Sequence, residues 1–226
     1  YEQSSKLGNS NALNYIGFLY QNGYGVKQDY SKAIEIYLMS SKHQNSNSFY
    51  YLGNLYENGS GVEQDYSKAA YYYEQSSSLG NSHALNSLGD LYFNGQGVEQ
   101  DYSKAIRYYE QSSSLGNSQA LNRLGDLYLS GEGVEQDAKK AKYYYEKSAK
   151  LGNSDALNSL GDLYFDGIGV NHFDYSKARE YYEKSAELGN SNAMINLGNL
   201  YFNGCGVGQD YSKAKEYYKQ ASNLGN

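Results

Sequence analysis

The residues able to act as acids, bases, nucleophiles or metal ligands are few and scattered. His43, His83 and His172 are the only histidines and Cys205 the only cysteine. They share no metal-ligand spacing, and no acid–base pair emerges. Cys205 lies between Gly204 and Gly206, where corresponding strings carry Tyr24, Ser60, Gln96, Glu132 and Ile168. It reads as an exposed, variable loop residue rather than a nucleophile. The paired glycines, such as Gly95 and Gly97, lead into Val-Glu-Gln-Asp. A phosphate-binding loop would follow a strand and end in Lys-Ser/Thr. The expectation is therefore no catalytic residue, no metal ligand and no cofactor, so the chain is read as not an enzyme. Its abundant chemistry is that of side-chain amides and carboxylates, which suits recognition.

The stretch Asn94-Gly-Gln-Gly-Val-Glu-Gln-Asp-Tyr-Ser-Lys-Ala105 recurs along the chain, its first glycine falling at Gly23, Gly59, Gly95, Gly131, Gly167 and Gly204. The steps are 36 residues four times and then 37. A fixed period of this size marks stacked repeats, each too small to bury a core without its neighbours. Six units follow at 9–44, 45–80, 81–116, 117–152, 153–189 and 190–225. Residues 1–8 match Tyr109–Gly116 and read as the tail of a preceding repeat, so the chain reads as a slice of a longer protein.

The third unit serves as the type. Ala84, Leu85, Leu88, Leu91 and Tyr92 recur at helical spacing, with Ser82 placed as the cap. Gly89 on the same side invites close approach by another helix, and Asn94-Gly95 stops the first helix. Asp101 caps a second helix bearing Ala105, Tyr108, Tyr109 and Ser112. Leu115-Gly116 closes it. Two irregularities stand out. His43-Gln44 replaces Leu-Gly, which predicts altered packing of the first two units. An extra residue around Asn171-His172-Phe173-Asp174 predicts a local bulge in an unchanged stack.

The formal charge of −6 argues against nucleic acid as a partner. No stretch approaches the roughly 18 apolar residues of a membrane span, so no membrane insertion is expected. The single cysteine and the lack of a leading signal favour the cytoplasm.

The pattern Ala84-x-x-x-Leu88-Gly89-x-x-Tyr92-x-x-Gly95-x-Gly97-Val98, then Asp101-Tyr102-x-x-Ala105-x-x-x-Tyr109, resembles the Sel-one-like repeat, a relative of the tetratricopeptide repeat. The resemblance covers essentially the whole chain. It implies an all-α fold, a right-handed α/α superhelix of six helix-loop-helix repeats whose first helices line a concave surface. It also implies an adaptor role in protein complexes. The cysteine-rich bacterial branch of the family pairs cysteines in each repeat, and this chain lacks them.

By the same resemblance, partner-binding residues belong on the exposed face of the first helices. Asn14, Asn86, Asn122 and Asn158 form a ladder of amides, each carrying both a donor and an acceptor. Asn54, Asp90, Asp126, Asp162 and Asn199 run beside them, and Phe93, Leu129, Phe165 and Phe202 add apolar contact. Together they suggest a groove that clamps a protein or peptide segment by its backbone and prefers basic side chains. The aromatic cluster Tyr15, Phe18, Phe49, Tyr50 and Tyr51 at the first junction reads as packing before it reads as a second contact. The leading expectation is a protein–protein interaction scaffold. The alternatives are a structural spacer, or the regulatory region of an enzyme whose catalytic domain lies elsewhere.

Overall fold

A computed structural model describes residues 10–225. Among them lie twelve α-helices and no strand. They are α1 (Ser10–Asn22), α2 (Tyr30–Ser41), α3 (Ser46–Asn58), α4 (Tyr66–Ser78), α5 (Ser82–Asn94) and α6 (Tyr102–Ser114). Then come α7 (Ser118–Ser130), α8 (Ala138–Lys150), α9 (Ser154–Asp166), α10 (Tyr175–Glu187), α11 (Ser191–Asn203) and α12 (Tyr211–Asn223). Consecutive helices pack as pairs, one pair per repeat. The expected preceding-repeat tail at 1–8 lies outside the described residues. Two compact units are present, one ending at Asn117 and the other beginning at Ser118, with three repeats in each.

The caps explain where each helix begins and ends. Asp101 Oδ1 accepts from Lys104 N–H at 2.9 Å, as expected for the second helices. On the first helices the cap is one residue earlier than the sequence suggested. Asn81, not Ser82, is the N-cap, its Oδ1 accepting from Ala84 N–H at 3.1 Å. Asn45, Asn153 and Asn190 do the same for α3, α9 and α11. Gly95 ends α5 in the left-handed region at φ +67°.

The Asn caps also join neighbouring repeats. Asn45 Nδ2 donates to Asn11 Oδ1 at 2.9 Å, and Asn81 Nδ2 donates to Asn47 Oδ1 at 3.1 Å. In the second unit Asn190 Nδ2 donates to Asp155 Oδ1 at 2.7 Å. Within each of the first five repeats a serine near the end of the second helix ties back to the start of the first. Ser112 Oγ donates to Ser82 C=O at 2.7 Å, and Ser148 to Ser118 at 2.6 Å.

The core is assembled from one unit of packing repeated. Tyr109, fully buried, lies across Gly89, so that a β-carbon at Gly89 would overlap the edge of the ring. The same contact joins Gly53 to Tyr73, Gly125 to Tyr145, Gly161 to Tyr182 and Gly198 to Tyr218. Ala84, Leu88 and Leu91 close around it with Ala69, Ala70 and Tyr73 of the preceding repeat. The neighbouring tyrosine takes the other side, Tyr108 stacking on Tyr92 at 5.5 Å while Lys104 caps that ring at 4.9 Å.

Both irregularities are absorbed locally. Gln44 itself takes the left-handed conformation, at φ +53°, in place of the glycine found in other repeats. The Asn45 cap then forms the same inter-repeat bond as its counterparts, so Gln44 itself does not break the link between the first two repeats. In the fifth repeat Phe173 stands exposed where others carry Gln. Asp174 N–H still returns to Tyr164 C=O at 2.7 Å, so the extra residue stays in the loop. Cys205 is half-buried against the core near Val207 and Leu200, rather than exposed.

The glycine–tyrosine contact yields a stability prediction. Gly89→Ala should cost roughly 1–3 kcal/mol, because the ring cannot retreat without opening the core. Gly208→Ala, at a loop position with open space around it, should be within about 0.5 kcal/mol of the parent. Urea denaturation of both variants measures the difference.

Candidate partner-binding face

The first helix of each repeat presents its fifth, ninth and twelfth residues on one side. The ninth residue, Asp90 in α5, receives the hydroxyl of the buried tyrosine. Tyr109 Oη donates to Asp90 Oδ1 at 2.8 Å, Tyr145 to Asp126 at 2.8 Å and Tyr182 to Asp162 at 2.7 Å. Asn54 and Asn199 accept from Tyr73 at 2.5 Å and from Tyr218 at 2.8 Å. Tyr73 also donates to Glu57. The five residues expected to face a partner freely therefore anchor the second helix of their own repeat.

The amide ladder is engaged too. Asn86 Nδ2 donates to Asp90 Oδ2 at 3.1 Å, Asn122 to Asp126 at 3.2 Å and Asn158 to Asp162 at 3.1 Å. Asn14 Nδ2 donates instead to Asn45 Oδ1 at 2.5 Å. These bonds use one of the two N–H donors of each amide. The carbonyl ends differ. Oδ1 of Asn14, Asn86 and Asn122 is buried with no hydrogen-bond partner. Asn158 Oδ1 is satisfied by Asn196 Nδ2 at 3.0 Å. What remains of the expected clamp is the second N–H of each amide and, at Asn14, Asn86 and Asn122, an unpaired acceptor.

Of the apolar residues, Phe93 turns toward Tyr102 with centroids 5.4 Å apart, and Phe165 toward Tyr175 at 5.2 Å. Phe202 reaches Tyr211 at 5.3 Å yet remains exposed. Leu129 is half-buried against the core of its unit.

Burial sets the ionisation of this face. It raises the carboxyls of Asp126 and Asp162 above the ordinary aspartate range, while the tyrosine hydroxyl donated to each opposes the shift. Asp126 keeps 43% of its side chain exposed and has Arg123 at 4.0 Å, whose charge also opposes the shift. The same burial pushes the phenols of Tyr145 and Tyr182 well above their usual value, holding them in the donating form.

One cavity, of about 270 Å³, opens on this side of the first unit between α1 and α3. It is lined by Asn11, Asn14, Tyr15, Phe18, Asn47 and Tyr51. It coincides with the aromatic junction that the sequence singled out. No group of three His, Cys, Asp or Glu side chains able to hold a metal occurs among the described residues. No helix among them is long and apolar enough to cross a membrane.

Repeated helix pairs joined by glycine loops and locked by a buried tyrosine define an α/α repeat protein. The Sel1 repeat description matches residues 10–45, 50–81, 82–117, 118–153, 154–190 and 191–226, and the chain belongs to the Sel1 repeat family. Members of this family commonly serve as protein-interaction scaffolds, and the repeat fold is typically non-catalytic. A Sel1 repeat protein from Oxalobacter formigenes is 32% identical with a TM-score of 0.90, over 96% of this chain and 89% of that one. The protective antigen c5321 of uropathogenic Escherichia coli, described as displaying an SLR fold, is 30% identical with a TM-score of 0.83. That match covers 100% of this chain but only 48% of the antigen, so the chain spans about half its length. The immunity protein Pa5087 of Pseudomonas aeruginosa, 22% identical with a TM-score of 0.67 over 95% of this chain and 81% of that one, shares the fold. No curated protein matches the chain.

Asp126 provides the pH test. Its folded pKa is raised, so the fold holds the proton more tightly than the unfolded chain does. The associated stability is present below the unfolded value of ~3.9 and is lost as pH rises through the folded value. Asp126→Asn should keep the Tyr145 bond, as Asn54 and Asn199 do naturally, and should lack this decline. Asp126→Leu should cost about 1–3 kcal/mol at every pH, by leaving the Tyr145 hydroxyl unpaired. Thermal melts of the three chains between pH 3 and 8 distinguish these outcomes.

Proposed function

We propose that the chain is a protein-interaction scaffold that takes a partner segment along the first-helix face of its units. The observation that carries this reading is the set of buried carbonyl oxygens at Asn14, Asn86 and Asn122. An orphaned buried acceptor costs about 1–3 kcal/mol, and a donor supplied by a partner recovers it. Family membership points the same way. One N–H of each asparagine already bonds within the fold, and the unpaired carbonyl oxygens favour a partner that donates. The preferred partner segment is rich in donors, which favours basic residues over acidic ones, in keeping with the net charge of −6.

Ile195 occupies the corresponding position of α11, so an apolar residue there is compatible with the fold. The triple variant Asn14→Leu, Asn86→Leu, Asn122→Leu should therefore remain folded by circular dichroism. Its affinity for a partner captured from the source cell's lysate should fall at least about tenfold, the effect of ~1.4 kcal/mol. Unchanged affinity would remove these acceptors from the interface. Absence of any partner for the parent chain would favour a structural spacer.

A further inference from the structure

The cavity between α1 and α3 differs from the rest of the first-helix face in being both open and aromatic. Tyr15 and Phe18 project from α1 with 59% and 37% of their surface exposed. Tyr51 of α3 meets Phe18 as a tilted ring pair, 6.1 Å between centroids, and is held in place by stacking on buried Tyr37 at 5.1 Å. Asn14, only 6% exposed, lines the same space. Its amide is oriented by the bond to Asn45, so its carbonyl oxygen is left without a partner. The next junction is built differently. There Tyr50 stands where α1 has Asn14, and it packs against Tyr73 at 5.9 Å and His83 at 5.8 Å.

We propose that this cavity is a socket for an arginine side chain of the partner segment, lying against the edge of the Phe18–Tyr51 ring pair and beside Tyr15, and donating to Asn14 Oδ1. The proposal rests on the scaffold reading and places its anchor. Three features select this occupant over an aliphatic or acidic one. Aromatic faces attract a cation, and a planar guanidinium both stacks on them and carries N–H donors at its edge. The unpaired acceptor requires a donor, which an aliphatic or phenylalanine side chain lacks. Among the described residues no lysine or arginine lines the cavity, whereas elsewhere this fold places its own lysines over tyrosine rings, Lys32 at 4.5 Å from the centre of Tyr20 and Lys177 at 4.4 Å from that of Tyr164. The charge of −6 adds long-range attraction for a basic segment.

The test uses peptides whose central residue alone changes. Acetyl-Gly-Ser-Gly-Arg-Gly-Ser-Gly-amide and its citrulline, lysine and phenylalanine counterparts are titrated against the isotope-labelled chain by NMR. Citrulline keeps the shape of arginine and most of its donors but removes the charge. The arginine peptide should shift the resonances of Asn14, Phe18 and Tyr51 in a saturable manner. The citrulline peptide should bind at least tenfold more weakly. Tyr15→Ser and Phe18→Ala, both at exposed positions, should keep the parent's melting temperature, and Phe18→Ala should weaken the arginine peptide about 3- to 30-fold. Equal binding of arginine and citrulline, preference for phenylalanine, or no shift at 10 mM peptide would each overturn the socket. If the socket fails while a captured protein still depends on Asn86 and Asn122, only the anchor is lost. If neither peptide nor protein binds, the scaffold reading falls with it.

Discussion

The contact of a buried tyrosine with a glycine on the preceding helix is the constraint on which each repeat depends. Gly89 allows Tyr109 to lie flat across α5, and the hydroxyl then reaches Asp90 on the far side of the helix. A glycine inside a helix costs about 1 kcal/mol of propensity. Burying a whole phenol ring with its hydroxyl satisfied returns more than that. The ring fixes the distance and rotation of the two helices, and the serine bond at their other end, Ser112 to Ser82, prevents them from splaying. Neighbouring repeats are then joined by small apolar residues and the Asn caps, which need only modest precision once each pair is rigid.

This arrangement divides the first-helix face between architecture and recognition. The ninth residue must accept from the tyrosine, so it is limited to Asp or Asn in repeats two to six, and in the first repeat Gln21 takes over the acceptance from Tyr37 at 2.9 Å. The fifth residue donates to the ninth where the ninth is Asp. Its carbonyl is then turned away from the ring and left to whatever lies beyond. At Asp126 the two effects meet: burial raises the carboxyl, and the oxygen of Asn122 is left without a partner, whereas beside Asp162 the oxygen of Asn158 is satisfied by Asn196. Ile195 and Asn199 illustrate the converse. With Asn as the ninth residue no donor is needed from the fifth, and an apolar side chain stands there.

How far the sequence could be read follows from the range of the interactions. The period, the helix pairs, the Asp caps and the glycine stops are local signals repeated six times, and chance does not reproduce them. Gly89 could be read as a close approach from its placement on the apolar face. Its partner could not be named, because nothing local distinguishes Tyr108 from Tyr109. The fixed separations, 19 residues from Asp90 to Tyr109 and 30 from Ser82 to Ser112, were available as covarying spacings within the chain itself. Without them Asp90, Asp126 and Asp162 looked like free groove carboxylates. Likewise Ser82 was a reasonable cap by type, yet Asn81 is the one whose side chain can reach both its own helix and the preceding repeat.

Departures from the repeat are informative for the same reason. Where every repeat keeps a residue, the residue builds the stack; where one differs, the stack leaves room for something else. Gln44 shows that a departure can be structurally silent, since a single residue in the left-handed conformation reproduces the missing glycine turn. Tyr50 and Tyr51 show the opposite. Replacing a small polar pair by two rings closes the junction toward His83 on one side and builds an aromatic wall facing α1 on the other. An aromatic wall beside an unpaired acyl oxygen is costly as mere packing, because the same space could be filled by an aliphatic side chain with no orphaned group. The opening between α1 and α3 suits an occupant that carries both a flat cationic face and a donor.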